Sequence, residues 1–296
     1  MNSRPLQPIL VLLGALALTA CDSTDRQPPQ IKFQSYQDGY AQKPDFAQLE
    51  YEAPLSAADL EKITPKNIAL LPQEQVDQIY ARLSAGPIPD GPFEGDLFFP
   101  AGTSGKLRLS EIAGGGLKSF AVNLAGKKLD LIGETLWKGK VFYRDQRVLR
   151  NRIEDLKILA PLIDGDLKDV PKIEVSGKDQ WLMFPAKLYC GQSLLDSRRE
   201  SIIIDYAFTD EVPGYREHPD YLAGRRGFKV RDEIRMVRPG FYLGRAYLDH
   251  VFVLNFVLYN KEIAQRDGPA FLKTGTVQED CWGGTQRRVV AAAPAS

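Results

Sequence analysis

Val230 to Val237, Phe241 to Leu248 and Val251 to Tyr259 are strand-length runs rich in β-branched and aromatic residues, and only Arg238-Pro239-Gly240 and Asp249-His250 separate them. Connections this short leave no room for a crossover helix, so the runs must pair as antiparallel hairpins. The Pro-then-Gly order of the first connection suits a type II turn. Earlier runs have the same character: Leu136 to Tyr143, Arg147 to Ile153, Trp181 to Tyr189 and Ser201 to Phe208, with Asp145-Gln146 joining the first two and Leu97 to Phe99 as a short opening strand. Hairpins in series without intervening helices imply an antiparallel meander of eight or so strands. Such a meander favours a barrel or a strongly curled sheet over a doubly wound fold.

The N-terminal part reads differently. Ser56-Ala57-Ala58-Asp59 has the form of a capping box opening a short helix. Pro72 can start a second, on which Val76, Ile79, Tyr80 and Leu83 recur at the spacing of one buried face. The run Ala85-Gly86-Pro87-Ile88-Pro89-Asp90-Gly91-Pro92 must end the helical section. Leu117, Phe120, Leu124 and Leu131 have helix-compatible spacing after Gly114-Gly115-Gly116, and that glycine run lacks the Lys-Ser/Thr or acidic partner of a nucleotide cradle. The fold class is therefore mainly β with N-terminal helices, an α+β chain.

The first residues carry an address. Arg4 supplies a positive end, Ile9 to Ala20 is uncharged and largely apolar, and Thr19-Ala20 are small residues before Cys21. The apolar run is shorter than the roughly 20 residues a transmembrane helix needs. Leu18-Thr19-Ala20-Cys21 resembles the lipobox of bacterial lipoproteins. The resemblance implies that Cys21 is acylated and becomes the mature N-terminus, anchored to the membrane by lipid and facing the periplasm of a bacterial envelope. Asp22 resembles the signal that retains such proteins in the inner membrane. The expected organisation is a signal peptide at 1–20, a tether at 21–54, a helical segment at 55–92, a β-rich barrel-like domain at 93–289 and a flexible tail at 290–296. The tether is polar and proline-marked, but Phe33, Tyr36, Tyr40, Phe46 and Tyr51 are more aromatics than a purely disordered linker carries.

Lys and Arg number 38, as do Asp and Glu, and only Arg4 falls in the first 20 residues, so the remainder balances to minus one. No basic excess exists to attract nucleic acid. With Cys21 assigned to lipid, Cys190 and Cys281 remain as a disulfide candidate in an oxidising compartment, with two separately buried thiols as the alternative. Catalytic signals are thin. The only histidines are His218 and His250, no His-Glu-x-x-His or Gly-x-Ser-x-Gly pattern is present, and neither a metal nor a cofactor is expected. A triad using Ser193 and His218, or Cys190 as a nucleophile, is the weaker alternative.

Strand parity supplies the binding candidates. Arg231, Glu233 and Arg235 alternate with Val230, Asp232, Ile234 and Met236, so the arginine face is expected to be wet. Asn255 sits on a strand apolar on both faces and needs a partner, with Asp205, Asp232 or a bound ligand as candidates. Arg152, Asp205, Asp232, Tyr242 and Asn255 are the proposed ligand-binding set, a polar floor that orients an otherwise apolar molecule. Thr135-Leu136-Trp137-Lys138-Gly139-Lys140-Val141-Phe142 resembles the tryptophan-bearing first strand of lipocalin-like barrels, with Gly139 matching the later glycine and Thr135 replacing the earlier one. That resemblance implies a barrel holding a small apolar or amphipathic molecule. The stretch Tyr189 to Tyr259 is also similar to bacterial envelope proteins without assigned activity. A structural lipoprotein that docks on an envelope complex through residues 22–95 or the Arg/Glu strand face is the alternative.

Overall fold

The computed structural model describes residues 23–35, 44–98, 137–156, 160 and 163–284. The signal, Cys21, the spacing at Leu117 to Leu131 and the tail lie outside them. Among the described residues there are nine strands: β1 (Gly91–Phe98), β2 (Trp137–Tyr143), β3 (Val148–Ile153), β4 (Lys172–Val175), β5 (Lys178–Gln192), β6 (Glu200–Asp205), β7 (Val230–Arg238), β8 (Phe241–Leu248) and β9 (Val251–Tyr259). They run in the order β3-β2-β1-β9-β8-β7-β6-β5-β4, every pairing is antiparallel, and β3 also pairs with β5. That last pairing closes eight strands into a barrel, with β4 as a short hairpin on β5. The expected meander and barrel are borne out.

Closure depends on β5, whose Lys187 stands opposite both Val148 of β3 and Asp205 of β6. Phe184 adopts φ +49 where the β3–β5 register shifts, which bends the strand enough to serve neighbours on both sides. The turn after β7 follows its residues: Gly240 adopts φ +74, close to what the third position of a type II turn requires.

Among the described residues there are also five α-helices, α1 (Phe46–Glu52), α2 (Ala57–Glu61), α3 (Gln73–Arg82), α4 (Glu217–Asp220) and α5 (Lys261–Thr274), and three short 3-10 turns. Ser56 and Asp59 form the expected capping box on α2. Hydrogen bonds from Lys62 and Ser56 hold the Asp59 carboxyl at about 2, against an ordinary 3.8. A depressed carboxylate stabilises the fold above its unfolded value, and that contribution disappears as pH falls through about 2. An NMR titration of Asp59 should therefore give a midpoint near 2, and Ser56→Ala should move it upward.

Val76, Ile79, Tyr80 and Leu83 of α3 are at most 2% exposed and pack on Val237, Phe241, Leu243 and Val257 of the barrel's outer wall. The helical segment and the barrel thus share a core. Part of the expected tether belongs to the body as well: Leu49 and Ala53 are buried, Glu50 pairs with Arg198 and Arg199, and Gln34 exchanges backbone bonds with the Gln78 side chain. The aromatic content of that stretch has its explanation there, since Phe33 packs with the α3 core. Helix α5, not anticipated from the sequence, is capped by Asn260 and ended by Gly275 at φ +66. Both caps were readable, but Pro269 inside the helix interrupts the pattern.

Gly139 adopts φ +122, and a Cβ there would lie 2.0 Å from the Phe93 carbonyl oxygen. Gly139→Ala should destabilise the protein by more than about 1 kcal/mol, from backbone strain and displacement of β1 together. A denaturation midpoint equal to the wild type's would refute this.

Candidate functional site

Alternation along the strands sends one set of side chains inward. Phe93, Phe142, Leu149, Ile202, Ile204, Ile234, Tyr242, Phe256 and Leu258 form the barrel's core, each at most 3% exposed. One end is plugged by Ala85 and Ile88 together with Cys281. There the Met236 amide donates to the Ser84 carbonyl, and the Tyr242 hydroxyl donates to the Pro87 carbonyl at 2.6 Å. These aromatic and aliphatic side chains line the interior.

Towards the opposite end the core becomes polar. Lys140, on the same parity as Phe142, is 3% exposed at its side chain, and its Nζ lies 2.6 Å from the Tyr206 hydroxyl, 2.9 Å from Asn151 Oδ1 and 3.1 Å from Asp232 Oδ2. The rings of Trp137, Tyr206 and Phe256 surround it, each centroid 5.4 Å from Nζ. Asn151 Oδ1 also accepts from Trp137 Nε1 at 2.8 Å, and Asn151 Nδ2 donates to the Phe184 carbonyl at 2.9 Å and to the Tyr206 hydroxyl at 3.1 Å. Burial pushes the Asp232 carboxyl above its ordinary range, with Lys140 opposing the shift. Burial lowers Lys140, but Tyr206 and Asp232 outweigh it and raise the amine.

The expected binding set is divided by the barrel wall. Asp232 and Tyr242 point inward, at opposite ends. Arg152, Asp205 and Asn255 point outward, because their neighbours Asn151, Ile204 and Phe256 take the inner positions. Arg152 donates to Gln180 Oε1 at 2.6 Å and to the Phe93 carbonyl at 2.7 Å. Asp205 accepts from the Tyr189 hydroxyl at 2.8 Å. Asn255 donates to Gln73 Oε1 of α3 at 2.9 Å, and its own Oδ1 is buried without a partner. Asp232 is therefore the one member that joins the buried polar cluster.

The expectation of a wet Arg/Glu face on β7 is overturned. Glu233 and Arg235 are 0% exposed, because α3 lies across that wall. Arg235 donates to Ser201 Oγ, to the carbonyls of Tyr80, Asp196 and Arg199, and to Asp196 Oδ2, and it lies 4.9 Å from the Tyr80 ring centroid. Arg231, on the same face, stays part-exposed and pairs with Glu233.

Cys190 and Cys281 are joined by a disulfide. Together with Glu200 they are the one group of potential metal ligands gathered among the described residues, and with the sulfurs bonded to each other they offer no thiolate. Ser193 Oγ accepts from the amides of Leu195 and Asp196, while His218 lies exposed beside Asp164, Nδ1 to Oδ2 2.9 Å. The suggested triad is not assembled.

Among the described residues a cleft lies outside the barrel. A cleft of about 370 Å³ separates α2, the end of α3 and the end of α5 above β7. Leu55, Leu60, Leu83 and Phe271 give it apolar walls, and Arg82 and Arg199 join its lining. Both arginines are no more than 6% exposed. Arg82 donates to the carbonyls of Gln78, Lys32 and Ala53, yet its Nη2 is buried with no partner. Arg199 pairs with Glu50 through Nη2, yet its Nε is buried with no partner. Burial pulls Arg82 down to about 10. No part of this cleft was legible in the sequence, since it joins segments almost 200 positions apart.

No protein-family model, no curated protein and no solved structure matches this chain. Among the described residues no helix is long and apolar enough to cross a membrane. The class that fold and site define is an eight-stranded antiparallel barrel lined by apolar and aromatic side chains, with a helix-walled cleft on its outer face.

Proposed function

We propose that this protein is a lipid-anchored component of the bacterial envelope, held by acylated Cys21 and facing the periplasm, which binds an amphipathic small molecule with an acidic head. The observation that carries the binding reading is the pairing, in one cleft, of apolar walls with two buried arginines, each with one nitrogen that lacks a partner. This outer cleft, and not the aromatic-lined barrel interior, is the proposed binding site. Chemistry supports the choice of ligand. A guanidinium desolvated by burial gains from a carboxylate or phosphate that accepts in a fork, and the aliphatic walls suit a short hydrocarbon portion. The Leu18-Thr19-Ala20-Cys21 tetrad supports the anchor.

Native mass spectrometry of protein extracted and purified without added lipid should show a co-purifying acid, and Arg199→Leu should lose it. Homogeneous apo protein that binds no fatty acid or phospholipid would overturn the ligand reading. The anchor is tested apart from it: Cys21→Ser should abolish labelling by palmitate and release the protein from membranes, and unchanged labelling would overturn that part.

A further inference from the structure

The geometry points to a covalent cross-link inside the barrel, an isopeptide bond between Lys140 Nζ and the side-chain carbonyl carbon of Asn151. Three groups of the kind needed for amide exchange meet there in a site shielded from water. Lys140 and Asn151 stand directly opposite each other on β2 and β3, and Nζ lies 2.9 Å from Asn151 Oδ1. Trp137 Nε1 donates to that same oxygen at 2.8 Å, which polarises the carbonyl and stabilises the negative charge that develops on it when an amine adds. Asp232 Oδ2 lies 3.1 Å from Nζ, within reach of the proton the amine must lose. Tyr206 bridges the rest: its hydroxyl lies 3.3 Å from Asp232 Oδ2 and accepts from Asn151 Nδ2 at 3.1 Å.

The reaction balances without any added reagent. Asp232 takes a proton from Lys140, leaving a neutral amine beside a neutral acid. The two forms carry the same net charge; burial pushes the Asp232 carboxyl up in the sense this requires, while Tyr206 and Asp232 raise the Lys140 amine against it, so the uncharged pair is the minor form through which the reaction passes. The Nζ lone pair then adds to the Asn151 carbonyl carbon, and the carbonyl π electrons move to Oδ1 under the Trp137 N–H. When the tetrahedral centre collapses, the C–N bond to Nδ2 breaks, and Nδ2 collects one proton relayed from Asp232 through Tyr206 and one from the attacking nitrogen. An ammonium ion leaves with the positive charge that Lys140 held at the start, a secondary amide remains, and Asp232 is again a carboxylate. No oxidant, metal or nucleotide takes part. Among the described residues Lys140 is the one buried lysine, and it is held against a polarised carboxamide with an acid on its other side; Arg152 also meets a carboxamide, at Gln180, but a guanidinium stays protonated and has no lone pair to add.

Tryptic mapping of the denatured full-length protein tests this directly, since the bond survives unfolding. Trypsin does not cut after an acylated lysine, so the expected product is Gly139-Lys140-Val141-Phe142-Tyr143-Arg144 joined to Asn151-Arg152, lighter than the two peptides together by one ammonia. Fragmentation should place the link between Lys140 and Asn151. Lys140→Arg should abolish the link, with cleavage after position 140 and Asn151-Arg152 released alone, and Asp232→Asn should lower the cross-linked fraction while leaving both reacting side chains in place. Complete cleavage after Lys140 in the wild type, giving Gly139-Lys140, Val141-Phe142-Tyr143-Arg144 and Asn151-Arg152 at their unmodified masses, would overturn the proposal. So would loss of one water linking Lys140 to Asp232. Both outcomes are read on the wild type, so neither depends on a variant folding.

Discussion

Arg235→Ala is expected to destabilise the protein by about 3–5 kcal/mol, the cost of removing one partner from a buried ionic network. The guanidinium is fully buried between β7 and α3, where it satisfies three backbone carbonyls, Ser201 Oγ and the Asp196 carboxylate. Alanine would leave those acceptors in a space water cannot easily enter, and would strand Asp196 with Arg198 as its remaining cationic partner. Arg235→Lys keeps the charge but cannot reach as many acceptors at once, so it should fall between wild type and alanine. Denaturant unfolding measures all three. A loss below about 1 kcal/mol for alanine would mean that α3 holds to the barrel by its apolar face alone.

The second large effect is expected from the Cys190–Cys281 disulfide. It closes a loop spanning 91 positions, worth about 4–5 kcal/mol on the chain-entropy account. It also pins the strap that plugs the barrel. Glu279 accepts from the Gly86 amide at 2.7 Å, and Asp280 accepts from the Ile88 amide at 2.8 Å. Replacing both cysteines by alanine should lower the melting temperature by roughly 10 °C or more. Hydrogen exchange should rise at Gly86 and Ile88 before it rises in β6 to β8. Uniform exchange across these segments would show that the strap is held by its hydrogen bonds without the sulfur bridge.

Much of the fold was legible because its signals are local. The spacing of Val76, Ile79, Tyr80 and Leu83 marks α3, Ser56 and Asp59 mark the start of α2, and Pro239-Gly240 marks a turn, each within a few residues. The site was less legible. Arg231, Glu233 and Arg235 read as a wet face because alternating charges on a strand usually are one; Tyr80, some 150 positions earlier, supplies the cover. Lys140 was passed over between Lys138 and Phe142, although sharing the parity of Phe142 places it inside the barrel.

By itself the sequence determined where strands, turns and most caps fall, and that short connections compel an antiparallel meander, because those properties depend on residues close along the chain. Only the tertiary structure decided which side of each strand is interior. A period of two separates Asp232 from Glu233, Asn151 from Arg152 and Phe256 from Asn255, but burial belongs to whatever packs against each face. Barrel closure through β3 and β5 and the docking of α3 assign those faces, so Lys140 meets Asn151 and Asp232 while Arg152, Asp205 and Asn255 remain on the other side of the wall.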